Sequence, residues 1–485
     1  MNTLNITLSG TTSGAIPAVT ARAPARERWS WALYDFATTV FSMNVATLYF
    51  AVWLVSDLHA SNTAVALGNG IASVLVILSI PIFGTLSDVT QRRKPWVIGL
   101  TLLSVLATAA IGIVGQHMIP LVGDMVNHAA TNTMTASNYQ IGGVAFAAIL
   151  AAFVVANYSH QGALPFYNAM MPELAPPNEW GRLSGMGAAL AYIGSIAGVL
   201  MITPFFNGAL PVFGPLPEGV LHTLRTVIPF TANGGRVSTF VPTGLLCLAF
   251  SLPLFFLCKD HFAVRAPSGI AWRQAFRDVR HTISETKKYP GTLRFILASF
   301  VYQDAMGTVI SYMALYAVMA MGFKRGAETT LFVVLTVPAV IGSWLWGRMT
   351  DRIGPRRTLL CIIGGWVVLL LAMMLVSSQT MFWIVGACIG FIYGGVNVAE
   401  RPMLLRLIPE REAGRFFSLM VLSARAAAIL GPFIWGFAVD GLTPVVGTVI
   451  AYRAAVGTVA AAMIIAFFVL RGVQEPTEVR VNLIS

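Results

Sequence analysis

Asp35, Asp304, Glu400 and Arg425 each stand inside an apolar run long enough to cross a bilayer, and Arg401 directly follows Glu400. A charge in hydrocarbon is costly, so such positions mark solute or proton pathways, or charges paired between helices. A carboxyl can trade a proton or hold a cation or ammonium, while a guanidinium offers a planar fork to a carboxylate. Two readings stay open for Asp35 and Asp304: coupling or substrate counter-charge, against a structural contact between helices. Asp35, five residues into its run, is expected near the surface and partly solvated; Asp304 is expected midway. Glu400 is expected to reach Arg425 on an adjacent helix, unless Arg401 or Arg425 receives a substrate carboxylate. Tyr158, His160 and Gln161 add hydrogen-bonding groups within one run, and Asn397 adds an amide in another. They are substrate contacts or satisfied packing residues.

A second constellation occurs twice. Gly84-Thr85-Leu86-Ser87-Asp88-Val89-Thr90-Gln91-Arg92-Arg93-Lys94 aligns without a gap on Gly347-Arg348-Met349-Thr350-Asp351-Arg352-Ile353-Gly354-Pro355-Arg356-Arg357, 263 residues later. A carboxylate at one helix end can cap a neighbouring helix N-terminus and pair with arginine. The residues Gly84, Asp88, Arg93, Gly347, Asp351, Arg352 and Arg356 therefore read as a conformational gate. Glu173 with Arg182, and Glu410 with Arg415, are expected to complete it. The repeat extends further: Asp35 with Thr39-Val40 matches Asp304 with Thr308-Val309, at a common offset of 269. Pro165, Pro172-Glu173 and Gly181-Arg182 match Pro402, Pro409-Glu410 and Gly414-Arg415.

These residues need apolar helices to position them, and composition supplies those. Charged residues are 11% of the 485 and hydrophobic residues 56%, with mean hydropathy +0.74; soluble domains carry roughly 25% charged residues. Runs of about 20 apolar residues occur at 30–55, 64–87, 96–116, 141–171, 183–206, 238–258, 293–321, 328–350, 358–378, 381–406, 415–438 and 446–471. The expected fold is an all-α membrane protein with 12 transmembrane helices in two pseudo-symmetric six-helix halves. The halves span 29–258 and 292–471. Between them 259–291 alternates basic and apolar residues as an amphipathic cytoplasmic linker on the anionic leaflet. Residues 1–28 lack an apolar signal-peptide core and read as a disordered cytoplasmic tail, with a second tail at 472–485.

With the N-terminus inside, 25 of the 31 Lys and Arg fall at inner loops and tails and five at outer loops. That bias predicts cytoplasmic termini. The net charge of +11 is confined to these loops, so no nucleic-acid partner is expected. The four cysteines have no metal-ligand spacing and are expected to be free and buried, with no cofactor and no metal. The Gly181, Gly185, Gly194 and Gly198 series is read as packing.

The pattern G-x-x-x-D-R-x-G-x-R-R resembles the helix 2–3 loop signature of the major facilitator superfamily of secondary transporters. The second copy matches in full; the first has Val89 for Arg and Gln91 for Gly. A narrower resemblance rests on Trp29-Ser30-Trp31-Ala32-Leu33-Tyr34-Asp35-Phe36-Ala37, the run from Phe166 to Pro177, and Gly414-Arg415-Phe416-Phe417 with Ser423 to Ala427. These are similar to the vacuole-effluxer branch, related to the autophagy-associated vacuolar amino-acid exporter. The resemblance implies the major facilitator fold, with helices 1, 4, 7 and 10 lining a central cavity. It also implies export of an amino acid or similar amphipathic solute by alternating access.

Protons or sodium are candidate coupling ions, and a monomer in a bacterial inner membrane is expected. No G-x-S-x-G, H-E-x-x-H or Walker motif stands in a suitable context, so the chain does not read as an enzyme. A non-transporting receptor or assembly factor on a transporter scaffold is the alternative.

Overall fold

The computed structural model describes residues 22–58, 62–90, 92–129, 136–210, 214–261, 289, 291–323, 328–427 and 430–474. The linker helix expected at 259–291 therefore lies almost wholly outside the described residues, as do the tail residues 1–21 and 475–485. The described residues are helical apart from short turns and one two-residue antiparallel pairing, Ala209–Leu210 with Gly214–Pro215.

The first helix, α1 (Ala25–Phe41), starts inside the stretch expected to be tail and runs on through π-type turns to Asp57. There follow α2 (Asn62–Thr90), α3 (Lys94–Ala129), α4 (Ala136–Ala169), α5 (Trp180–Asn207), the short α6 (Glu218–Val227) and α7 (Phe240–Leu257). After the linker come α8 (Thr292–Met321), α9 (Glu328–Ile353), α10 (Pro355–Leu375) and α11 (Gln379–Leu407). Then α12 (Ala413–Ala427), α13 (Leu430–Val446) and α14 (Thr448–Arg471) close the chain. Among the described residues, eight helices are long and apolar enough to span a bilayer, or nine if α8, bent by 58° near Met313, counts as one span. Helices suit these runs because hydrocarbon offers backbone N–H and C=O groups no other partner. Phe256, Leu375, Phe437 and Val445 are more than three-quarters exposed, as a lipid-facing surface requires. Cys361 and Cys388 are exposed too, which corrects the expectation that all four thiols are buried. Their small apolar side chains cost nothing when turned outward to lipid.

Packing repeats along the chain. α1 packs on α5 and α7, α3 on α4 and α7, and α2 on α4. In the later part α8 packs on α12 and α14, α10 on α11 and α14, and α9 on α11. Two main crossings join the sets, α5 against α9 and α2 against α12, and α5 also touches α11 and α4 touches α12. Glycine makes both possible. A Cβ on Gly181 would lie 2.5 Å from the carbonyl oxygen of Gly347, and one on Gly347 would lie 2.7 Å from that of Gly181. At the other crossing a Cβ on Gly84 would stand 2.8 Å from the carbonyl oxygen of Gly414. The repeated glycines thus let backbones touch, bringing together the residues expected to form a gate. Between α9 and α10 the chain reverses at Gly354, whose φ of +88° suits glycine, and Pro355 opens α10, where a missing N–H costs nothing.

Candidate functional site

The two repeated aspartates do the same thing at opposite crossings. Asp88, at the end of α2, accepts hydrogen bonds from the backbone N–H groups of Gly414 at 2.9 Å and Arg415 at 2.8 Å. Asp351, at the end of α9, accepts from Gly181 at 2.8 Å and Arg182 at 3.0 Å. Helices α12 and α5 each begin behind a 3₁₀ turn, Glu410–Glu412 and Pro177–Glu179, with first-turn N–H groups in want of acceptors. A carboxylate there satisfies two donors and meets the positive end of the helix dipole.

The basic members of the repeat diverge. Arg93 is fully buried and donates to the Ala169 carbonyl, to Glu173 at 2.9 Å and, across the crossing, to the Glu410 backbone carbonyl at 3.1 Å. Its counterpart Arg356 donates to the Arg471 carbonyl at 2.5 Å, at the end of α14, and Arg352 is exposed. The pairs expected from sequence are rearranged. Glu173 serves Arg93, Arg182 leans on Asp351 at 3.5 Å, and Arg415 pairs with Glu412. Arg93 reaches Glu173 because Glu173 is buried with it, whereas Arg182 points outward, its side chain 60% exposed. Burial pushes the Glu410 carboxyl up from its ordinary value, and the Arg93 guanidinium pulls it partly back.

Deeper in the same end, Asp35 on α1 meets Arg401 on α11 in a two-pronged pair, at 2.9 and 3.2 Å. At 1.5 Å per residue, Asp35 stands about 15 Å along α1 from Ala25. It is 3% exposed, so the expectation of a partly solvated Asp35 is corrected: the opposing helix covers it. The guanidinium lies 5.7 Å from the ring centres of both Trp31 and Tyr167, which stack on each other at 4.6 Å. Trp31 and Tyr167 lock that stack by each donating to the other's carbonyl at 3.0 Å.

Glu400 precedes Arg401 by one residue, about 100° round the helix, and so faces a different neighbour. Its carboxylate accepts from Ser299, from Tyr302 at 2.6 Å and from Gln303 at 2.8 Å, all on α8. These three partners were not anticipated from the sequence; the side chain of Arg425, the partner expected there, lies outside the described residues. Ser299, Tyr302 and Gln303 share one helix face by their i, i+3, i+4 spacing, the signal in the sequence that marks them. Asp304, 8% exposed, accepts from the Gly431 N–H at 2.8 Å, at the start of α13.

The polar residues of α4 knit the earlier helices. Tyr158 bonds Ser79 of α2 at 2.8 Å, and His160 bonds Ser42 at 2.9 Å, just beyond α1, while lying against the Phe41 ring. Gln161 donates to Asn157, which donates to Asn69. Asn397 is half-buried on α11, its backbone carbonyl accepting from Ser184 of α5 at 3.3 Å. The structure thus joins Asp35 with Arg401, and gives Tyr158, His160, Gln161, Asp304 and Glu400 each its own hydrogen-bond partners.

A family model described as "Vacuole effluxer Atg22 like" matches residues 59–475. The chain is 23% identical over 417 residues to YxiO of Bacillus subtilis (strain 168), an uncharacterized MFS-type transporter, across 84% of this chain and 86% of that one. Among solved structures, a bacterial homologue of the iron transporter ferroportin in an outward-facing state aligns with TM-score 0.63 at 16% identity, over 92% of this chain and 99% of that one. The major facilitator superfamily transporter FucP in an outward conformation aligns with TM-score 0.65 at 15% identity, over 93% and 98%.

Proposed function

Since the chain belongs to the Atg22-like vacuole effluxer family, and is a multi-pass membrane transporter, we propose that it exports an amino acid or a similar amphipathic metabolite by alternating access. We read its helices as twelve spans in two six-helix halves, because the five pairings of α1 with α5 and α7, α3 with α4 and α7, and α2 with α4 recur as α8 with α12 and α14, α10 with α11 and α14, and α9 with α11. The positive bias of the loops supports cytoplasmic termini, which puts the Asp88 and Asp351 crossings at the inner face. The observation that carries the reading is the duplicated cap. Each half offers one carboxylate to a helix start in the other, so the inner face is held shut at two related points. A shut inner face belongs to an outward-open state, and the two solved neighbours were captured outward-facing.

Asp35 and Arg401 form the next barrier inward. Opening it leaves two buried charges, each costly alone. A zwitterion relieves both at once, its carboxylate replacing Asp35 on the guanidinium and its ammonium replacing Arg401 on Asp35. That chemistry favours an amino-acid-like substrate. Coupling to protons or sodium is assigned to a membrane carboxyl, Asp304 or Asp35.

The test is reconstitution. Purified protein in liposomes, screened over labelled amino acids with imposed pH or sodium gradients, should exchange at least one of them, and that solute should raise the melting temperature. A chain that binds a solute yet never moves it would instead be the receptor or assembly factor.

A further inference from the structure

A cavity of about 300 Å³ opens beside the α5–α9 crossing, where the start of α1 approaches it. Four guanidiniums face it, Arg22, Arg28, Arg182 and Arg348, with one carboxylate, Glu179. Glu179 is shared by Arg22 at 2.9 Å and Arg28 at 3.7 Å, so the lining keeps a surplus of positive charge. Arg348 lies over the Trp344 ring, 3.2 Å from its centre, and its Nη1 is buried without an acceptor among the described residues. The Nε of Arg28 is buried and unpartnered in the same way. Four guanidiniums against one carboxylate call for an anion with several oxygens.

The remaining wall is apolar. Trp29 and Trp344, which border the cavity, are 57% and 53% exposed on the outer surface. Exposed tryptophans beside arginines are the pattern of a membrane–water interface, where rings sit at headgroup level and cations meet anionic lipid. A soluble anion would gain nothing from the apolar wall or the rings.

We propose that the cavity binds one anionic phospholipid, its phosphate taken by Arg348 and Arg28 and its acyl chains lying along the Trp344 flank. Arg348 stands one turn before Asp351 on α9, and Arg182 follows the capped Gly181 on α5. The lipid therefore seats across the crossing.

The experiment is native mass spectrometry of the full-length protein with phosphatidylglycerol, phosphatidylcholine or glycerol 3-phosphate. Phosphatidylglycerol should be retained, phosphatidylcholine much less, and glycerol 3-phosphate not at all. Arg348→Gln should weaken phosphatidylglycerol binding about fivefold, the worth of one arginine at an anionic surface. Arg22→Gln, at an exposed side chain with little packing to lose, should weaken it in the same direction and decides the matter if Arg348→Gln does not fold. Equal retention of the two lipids, or unchanged binding in the variants, overturns the proposal. Equal binding of glycerol 3-phosphate makes the site one for free anions and overturns the lipid assignment.

Discussion

Asp35 and Arg401, 366 residues apart in sequence, close on each other as a buried two-pronged ion pair over the Trp31–Tyr167 stack. Removing either partner strands a buried charge, at a cost of about 3–5 kcal/mol. Asp35→Ala and Arg401→Ala should each lower the melting temperature, and the double variant should lose less than the two effects summed. Strict additivity would show that the pair carries no coupling energy. Transport should be lost in all three.

Asp88→Asn and Asp351→Asn should loosen the α2–α12 and α5–α9 crossings while leaving the fold intact. A charged acceptor of two N–H bonds is replaced by a neutral one, at about 1.5–3 kcal/mol per charge-assisted bond. In a background lacking the native cysteines, Ser418→Cys and Thr350→Cys report the two crossings, both residues being buried, Ser418 against Gly84 and Thr350 against Gly181. Labelling of Ser418→Cys should rise about tenfold or more with Asp88→Asn, and that of Thr350→Cys likewise with Asp351→Asn. Wild-type labelling together with wild-type transport would remove the gate role.

Gly347→Ala should act like Asp351→Asn for a steric reason, since its Cβ would press on the Gly181 carbonyl at 2.7 Å. Gly436→Ala, with nothing within 4 Å of a new Cβ, is the matched control and should leave transport unchanged. Similar effects from the two substitutions would mean that helix propensity, not close approach, matters at Gly347.

Asp304→Asn distinguishes coupling from capping. As the coupling group, it should lose accumulation driven by a pH or sodium gradient while downhill exchange continues, because an amide mimics the protonated acid but releases no proton. As the cap on α13, it should lower the melting temperature and depress both kinds of transport together. Uphill transport surviving in this variant passes the coupling role to Asp35.

Orientation is tested by labelling with an impermeant thiol reagent. A cysteine near Asn132 should react from outside and one near Ser268 should not. The reverse result would place the Asp88 and Asp351 crossings on the outer face.

Apolar runs, the duplicated motif and its two aspartates were legible in the chain alone. Apolar length is a local property that hydrocarbon enforces residue by residue. A motif written twice can be recognised without knowing what either copy touches. Partner choice was different, because it depends on which helices cross and how each is rotated. Glu400 and Arg401 are adjacent in sequence, yet a turn of about 100° sends one to α8 and the other to α1. Arg93 and Arg356 match in alignment, yet one reaches across to the Glu410 carbonyl and the other to the end of α14. Asp304 matches Asp35, but it meets a helix start where Asp35 meets a guanidinium. Gly347 was legible from its motif and Gly181 only as a packing residue, and their back-to-back contact came with the crossing of α5 and α9. Long-range pairing of single charges leaves no periodic trace in a chain, so it emerges only when the helices pack.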